Sequence, residues 1–179
     1  MNRSQFILAL CAAVVLVDFS LCAQDGESFK VSQFTFKQPK GWEKQQSGGM
    51  RAAQFKVTDA KIKGEAEVVF FYFGPGGAGG VQANVDRWFS QFQEPKDKIN
   101  AKTEEVTVGG TKVTYVSAEG TYMSGSPFGP KTPMPNHALV GGIIEGSEGS
   151  VFVRLTGPKD LAKAATADFK KMIEGALKK

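Results

Sequence analysis

The run VVFFYF, Val68–Phe73, constrains the fold more than any other stretch of this sequence. Successive side chains of a strand point to opposite faces of a sheet, so a run that is apolar or aromatic at every position is hydrophobic on both faces. Strands of this kind lie inside sheets that are covered on both sides. We therefore expect Val68–Phe73 to form a central strand, with other elements packed above and below it.

The glycine-rich stretch GPGGAGG follows this strand and places Gly74, Gly76 and Gly79 at the G-x-G-x-x-G spacing of a dinucleotide-binding turn. That fold needs a second parallel strand whose end carries an acid about 20 residues later. Here Glu94 stands at that interval, inside the polar segment EPKDKIN. Pro75 also removes a backbone N–H from the turn. We predict no nucleotide or other cofactor, and interpret the glycines as a flexible connection from strand to helix, where a partner backbone could also approach closely.

Alternating apolar and polar residues predict the remaining strands. The segment FTFK alternates before Pro39 and Gly41 end it, and RAAQFKV alternates again. Two further pairs of strands are separated by glycines, one pair at Gly109–Gly110 and the other at Gly146–Gly149. Glycine suits the backbone angles of tight turns, so each pair is predicted to be an antiparallel hairpin.

Two segments have the apolar period of amphipathic helices. The first follows the glycines, with apolar positions at Val81, Val85, Trp88, Phe89 and Phe92. The second begins near Pro158, because the missing N–H of proline costs nothing at a helix start. Its apolar face is formed by Leu161, Ala165, Phe169, Met172, Ile173 and Leu177. We interpret both apolar stripes as core.

The segment MSGSPFGPKTPMPN, between the two hairpins, contains four prolines. Proline donates no backbone hydrogen bond, so this segment is predicted to be neither a helix nor a central strand. Long irregular loops on rigid scaffolds often carry function. We therefore name Phe128, Met134 and His137 as a candidate partner-binding loop, with an ordinary surface connection as the alternative.

The N-terminus has the layout of a secretory signal peptide. Arg3 precedes an apolar run of 12 residues, 6–17, which is shorter than the ~20 residues of a membrane-spanning helix. We predict a signal peptide at 1–23, cleavage after Ala23 and export to the periplasm or medium, with no transmembrane span in the mature chain, 24–179. Lipidation at Cys22 is an alternative, although Leu21 is bulkier than the residue that usually precedes a lipidated cysteine.

The residue inventory excludes several chemistries. Both cysteines, Cys11 and Cys22, lie in the predicted signal peptide, and His137 is the sole histidine. A zinc shell cannot be filled from one histidine, and no nucleophile and base form a motif, so we expect no metal and no catalytic residue. The net charge of +4 is spread over mixed acidic and basic segments, which disfavours nucleic acid. Carboxylate pairs such as Glu65 and Glu67 leave a hydrolase open, because such pairs need only be close in space.

The order of elements and several motifs resemble the PsbP and Mog1-like superfamily. The resemblance lies in FTFKQPKGW, with Pro39, Gly41 and Trp42, and in RLTGP leading to a final helix that contains Phe169. More narrowly, VVFFYFGPGGAGGVQANVDRWFSQF is similar to a stretch of uncharacterised secreted proteins of planctomycete type. The better-known superfamily members are non-enzymatic partners of larger assemblies, a photosystem or a small GTPase. No motif of either partner site matches here, so the resemblance implies a fold and a non-enzymatic role only.

The predicted fold is α+β, a mostly antiparallel sheet of about six to seven strands flanked by helices in a PsbP/Mog1-like α/β/α sandwich. The predicted function is that of an exported, non-catalytic interaction or ligand-binding domain, whose partner is an unknown protein or envelope component. Two alternatives remain: an exported hydrolase that uses carboxylates assembled by the fold, and a structural envelope protein.

Overall fold

The fold is an antiparallel sheet with a helix on each face, seen in a computed structural model that describes residues 26–126 and 129–178. The strands and helices are β1 (Ser28–Val31), β2 (Phe34–Lys37), β3 (Trp42–Lys44), β4 (Arg51–Val57), β5 (Ala66–Tyr72), α1 (Val81–Phe89), β6 (Lys102–Val108), β7 (Thr111–Ser124), β8 (Thr132–Ile144), β9 (Val151–Pro158) and α2 (Lys159–Gly175). A short 3-10 helix, Lys96–Lys98, precedes β6.

Seven strands form the main sheet in the order β3-β4-β5-β9-β8-β7-β6, and all neighbours are antiparallel. β1 and β2 form a separate antiparallel hairpin. The predicted α+β class and the six-to-seven-stranded sheet are confirmed. The run Val68–Phe73 was expected at the centre, and β5 is the third of the seven strands with both of its edges paired.

The two faces of the sheet carry separate cores. On one face α2 and the β1–β2 hairpin pack over the sheet, and Phe36, Phe55, Phe70 and Phe169 are fully buried there. On the other face α1 supplies Val85, Trp88, Phe89 and the following Phe92 to a core that takes its buried sheet residues from β7, β8 and β9. The apolar stripes predicted for both helices are therefore core.

Two adjacent glycines of β8 let the helices approach the sheet from opposite sides. A Cβ on Gly141 would stand 2.2 Å from Cζ3 of Trp88 in α1. A Cβ on Gly142 would stand 2.7 Å from Cδ1 of Ile173 in α2. Because consecutive strand residues face opposite sides, each glycine makes room for a different helix.

Helix α1 covers only part of its face of the sheet. In β5 the side chains of Val68, Val69 and Phe70 are fully buried, but Phe71 and the residues after it are half-exposed. The expectation that the whole run is covered on both sides is therefore wrong for its second half. We call the uncovered surface of β4, β5 and β9 on the α1 side the open face; its side chains include Arg51, Gln54, Glu67, Phe71 and Arg154.

The predicted hairpins are present. Gly109 and Gly110 have φ values of 55° and 81° in the turn between β6 and β7, and Gly149 N–H donates to Gly146 O between β8 and β9. One hairpin was not predicted. β1 and β2 meet at a tight turn in which Ser32 has a φ of 53°, an angle that serine seldom adopts.

The proline-rich segment contains no helix or central strand among its described residues, as predicted, but its two ends are edge strands and not irregular loop. β7 continues to Ser124 and β8 begins at Thr132, and Met123 pairs with Pro133. β9 pairs with β8 only from His137 onward, so 132–136 form an edge strand, where proline is tolerated. We call this two-stranded extension, 121–124 with 132–136, the ribbon.

Some predictions fall on residues outside those described. They are the signal peptide 1–23, cleavage after Ala23, lipidation of Cys22 and the role of Phe128. Within 26–126 and 129–178, no helix is both long and apolar enough to cross a bilayer.

Candidate functional site

A groove of about 350 Å³ lies between the ribbon and strands β4 and β5. Its polar lining comes from distant parts of the chain: Gln45, Gln54, Lys56, Glu65, Glu67, Tyr122, Ser124, His137 and Thr156. Met134 adds an apolar group. The groove continues onto the open face, since Gln54 and Glu67 belong to both.

A β-bulge in the ribbon turns two of the predicted candidate residues toward this groove. Gly120 pairs with His137 and Tyr122 pairs with Met134, so β8 has one residue more than β7 between these pairs. The extra residue is accommodated at Asn136, whose φ is 53°. Residues three apart in a regular strand face opposite sides, but a bulge restores them to one side. Met134 and His137 therefore both line the groove.

The imidazole of His137 has one tautomer in its neutral form. Its Nδ1 lies 2.9 Å from Pro135 O. A carbonyl oxygen only accepts hydrogen bonds, so Nδ1 carries the proton and donates. Nε2 is then the acceptor that neutral His137 offers to a ligand.

An ion pair with a bridging amide organises the open face. Arg51 Nη1 and Gln54 Nε2 each donate to Glu67 Oε1 at 2.7 Å, and Arg51 Nη1 also donates to Gln54 Oε1 at 2.8 Å. The side chains of Arg51 and Glu67 are 38% and 37% exposed, so the pair contributes at most about 1 kcal/mol to stability. Its main effect is to fix the positions of three polar side chains.

Gln91, just beyond α1, joins the ribbon to the open face. Its Oε1 accepts from Tyr122 Oη at 2.9 Å and from Arg154 Nη1 at 3.0 Å. Its backbone oxygen accepts from Met123 N–H at 2.8 Å. Burial raises the pKa of Tyr122, and the nearby positive charge of Arg154 opposes that shift.

The carboxylates of the groove are ion-paired. Lys56 Nζ lies 2.8 Å from Glu43 and 3.7 Å from Glu65, and the hydrogen bond and charge of Glu43 raise the pKa of Lys56. Glu67 is paired with Arg51, as described above. The structure thus brings the predicted pair, Glu65 and Glu67, to one groove, each beside a cation. Across the described residues, no group of three or more His, Cys, Asp or Glu side chains is placed to hold a metal ion.

The architecture is shared with a solved structure. The cyanobacterial PsbP (CyanoP) of Synechocystis sp. PCC 6803 superposes with a TM-score of 0.53 at 10% identity, covering 93% of this chain and 95% of that one. The fold is PsbP-like. A Pseudomonas aeruginosa protein of unknown function, PA94, gives a TM-score of 0.46 at 13% identity over 83% of this chain and 93% of that one. No family model matches the sequence, and no curated protein does.

Within this PsbP-like fold the glycine-rich stretch is a structural connection. Gly74, Gly76 and Gly79 have φ values of 76°, 69° and 73°, which L side chains rarely adopt. The loop leads from β5 into α1, but both neighbours of β5 are antiparallel to it, so no parallel strand-helix-strand unit surrounds the glycines. Within the chain, the backbone of Gly149 approaches this loop closely: a Cβ on Gly149 would stand 2.7 Å from Gly74 O.

A side chain of α1 forms hydrogen bonds with this loop. Asn84 is buried, and its Nδ2 donates to Ala78 O at 2.8 Å and to Gly80 O at 2.9 Å. Arg87 Nη2 in turn donates to Asn84 Oδ1. Asn84, supported by Arg87, therefore holds the glycine loop against α1.

Sequence reasoning missed Arg51, Gln54, Gln91, Tyr122 and Arg154 as possible site residues. The alternating pattern of β4 could have indicated Gln54. Its neighbours on either side are buried, so Gln54 faces away from the core beneath β1 and β2. Nothing in the sequence indicated that α1 would leave that face uncovered.

Proposed function

We propose that this protein is a non-catalytic binding domain that holds a polar ligand or partner in the groove and on the adjoining open face. The observation that carries the proposal is the set of polar side chains from β4, β5, β7 and β9, fixed by mutual hydrogen bonds and still half-exposed. Concave sites with a few fixed polar groups are typical of ligand binding. Fixing those groups before binding reduces the entropy lost on association.

Binding is favoured over hydrolysis by how the acids and His137 are engaged. Hydrolysis by a carboxylate pair needs one acid free to protonate the leaving group, whereas Glu65 and Glu67 are both ion-paired. In a nucleophile-histidine-acid triad a carboxylate orients the imidazole, whereas His137 Nδ1 donates to a backbone carbonyl.

The hydrolase remains the second candidate, because Glu65, Glu67 and His137 share one groove. It predicts turnover of an ester or glycoside substrate by the purified protein, and loss of that turnover in Glu67→Gln. Turnover that survives Glu67→Gln and His137→Ala would come from a contaminant and would remove this candidate.

We also propose export, supported by the signal-peptide layout of 1–23 and by the narrower resemblance to secreted bacterial proteins. The expected result is a periplasmic or secreted protein whose N-terminal residue is Gln24. Cys22→Ala leaves its localisation and mass unchanged if secretion is unlipidated. A lipid-sized mass difference at Cys22 would establish anchoring instead.

The test of the binding proposal uses the ribbon. Affinity capture from an envelope fraction, with the full chain carrying a C-terminal tag, is compared between the wild type, Met134→Ala and Met123→Ala. Met134 faces the groove, whereas Met123 follows Tyr122 on the same strand and points away from it. The two variants therefore make the same chemical change on opposite faces of the ribbon.

We expect Met134→Ala and His137→Ala to reduce capture and Met123→Ala to retain it, with all three variants folded by circular dichroism. Capture that is equal in all variants would overturn the proposal and favour a structural envelope role, in which the groove is not used.

A further inference from the structure

Arg154, on the open face, is a guanidinium held in place but without a counter-charge. Its Nη1 donates to Gln91 Oε1 at 3.0 Å, and its Cζ lies 5.6 Å from the ring centroid of Phe71. Gln91 is itself fixed by Tyr122 Oη and by Met123 N–H. The cation–π contact and the hydrogen bond together restrict a side chain that is otherwise among the most flexible.

The charge of Arg154 is not balanced by any acid in its immediate surroundings. Over residues 26–126 and 129–178, no carboxylate oxygen lies within 4.0 Å of this guanidinium, whereas Arg51, on the same open face, is 2.7 Å from Glu67. Nε of Arg154 is buried and has no hydrogen-bond partner. A half-buried cation in this situation loses hydration without gaining an ion pair, which is unfavourable unless a ligand supplies the anion.

The number of charges indicates the class of anion. Among the described residues of the open face, Arg51 is paired with Glu67 and Lys56 with Glu43 and Glu65, which leaves the single positive charge of Arg154 unpaired. One carboxylate neutralises it, and the free donors of a guanidinium match the two oxygens of a carboxylate in one plane. A phosphate dianion carries both charges on one group and would bring the second close to Glu67, whereas each carboxylate of a ligand carries one charge.

We propose that Arg154 anchors a carboxylate of the ligand that occupies the open face, with Phe71 and Gln91 positioning the guanidinium. This inference rests on the proposed binding function and specifies the chemistry of its ligand. Arg154 touches the ligand, and Gln91 acts through Arg154.

The experiment is a titration of the purified protein followed by ¹H–¹⁵N NMR, with glutarate as the probe and glutaramide, its uncharged analogue, as the control at matched ionic strength. We expect saturable shifts of the Arg154 Nε–H and the Gln91 side-chain amide with glutarate and none with glutaramide. Sulfate is the third arm, and saturation by sulfate at lower concentration than glutarate would overturn the carboxylate assignment.

Three variants separate binding from a structural role. Arg154→Gln should weaken glutarate binding about 10-fold or more, the loss expected when charge-assisted hydrogen bonds are removed. Arg87→Gln is the matched control, since Arg87 also bonds a side-chain amide but lies at the glycine loop. Arg154→Lys keeps the charge without the planar donors and should recover only part of the affinity.

Equal glutarate affinity in the wild type and Arg154→Gln would overturn the inference, as would the absence of any saturable shift in the wild type. The capture comparison uses variants of Met134 and His137 in which Arg154 is intact, so its outcome does not depend on whether Arg154 binds a carboxylate. Failure of this inference alone is therefore distinguishable from failure of the proposed function.

Discussion

The glycine loop and the ribbon show how misleading a motif can be when it is separated from its packing. The glycine loop matches a nucleotide-binding spacing. Its glycines nevertheless adopt positive φ, and hydrogen bonds from Asn84 hold the loop against α1. The ribbon matches no motif, yet its bulge brings Met134 and His137 to the groove. The first region therefore contributes to stability, and the second is where we propose that binding occurs.

The largest effect is expected beneath α1, at Gly141. A Cβ there would stand 2.2 Å from the Trp88 ring and 2.7 Å from Val116 Cγ2, so Gly141→Ala must displace the helix that follows the glycine loop. We expect a loss of about 3 kcal/mol in the free energy of unfolding, measured by urea denaturation. Gly142→Ala meets only the flexible end of Ile173 and should cost about 1 kcal/mol. Equal losses would contradict this account of the two glycines.

Asn84→Ala should have the next largest effect. It removes both side-chain hydrogen bonds to the glycine loop, so Ala78 O loses this donor while Gly80 O keeps the backbone N–H of residue 84, at a cost of about 2 kcal/mol. The control is Gln82→Ala, an exposed residue of the same helix whose change should stay within about 0.5 kcal/mol. Ligand capture by folded Asn84→Ala should equal that of the wild type. Reduced capture at unchanged stability would make the glycine loop a binding element.

Gly76→Ala tests backbone conformation alone, because a Cβ there meets no atom within 4 Å. The φ of 69° should still cost about 1 kcal/mol. Gly48→Ala, in another surface turn but without positive φ, should be neutral or stabilising by about 0.5 kcal/mol, since it restricts the unfolded chain. The midpoints of thermal unfolding, compared for the two variants, should therefore move in different directions. A shared direction would show that φ is not what selects glycine at position 76.

The smallest effect concerns the base of the ribbon. Both carboxylate oxygens of Glu94 accept from Thr121 N–H, at 2.8 and 3.1 Å, and these bonds lower the pKa of Glu94 below the ordinary glutamate value of 4.5. The contribution of Glu94 to stability is therefore complete above that value and is lost as the pH falls through the lower, folded-state pKa. The amide shift of Thr121 should titrate with a midpoint below 4.5. A midpoint at or above it would show that the contact is not formed in solution.

The sequence predicted those parts of the fold whose cause is local. Glycines at Gly109 and Gly110 marked a hairpin, and the stripes of both helices marked core positions. The β1–β2 hairpin was missed because its turn uses Ser32 in a glycine-like conformation. The ribbon was missed because proline is excluded from paired strands except at edges, and edges are set by the pairing of the whole sheet.

The candidate site was less predictable than the fold. Met134 and His137 were named from the sequence as candidate partner-binding residues, but their common orientation toward the groove depends on the bulge at Asn136. Arg51, Gln91 and Arg154 come together only after the chain has folded, because they are brought from β4, the end of α1 and β9. The extent of the sheet that α1 covers decides which polar side chains stay accessible, and no local pattern encodes that extent.

The prolines of the ribbon affect whether the molecule can associate with other copies of itself. From Thr132 to Asn136 the outer edge of β8 lies beyond the reach of β9 and is not covered by another strand of the described chain. The unpaired N–H and C=O groups of such an edge can bind a strand from a neighbouring molecule, and aggregation by sheet extension begins in this way. Pro133 and Pro135 deprive the edge of two N–H donors, so an incoming strand cannot complete its ladder. The ribbon can therefore project from the sheet to frame a groove without becoming a template for polymerisation.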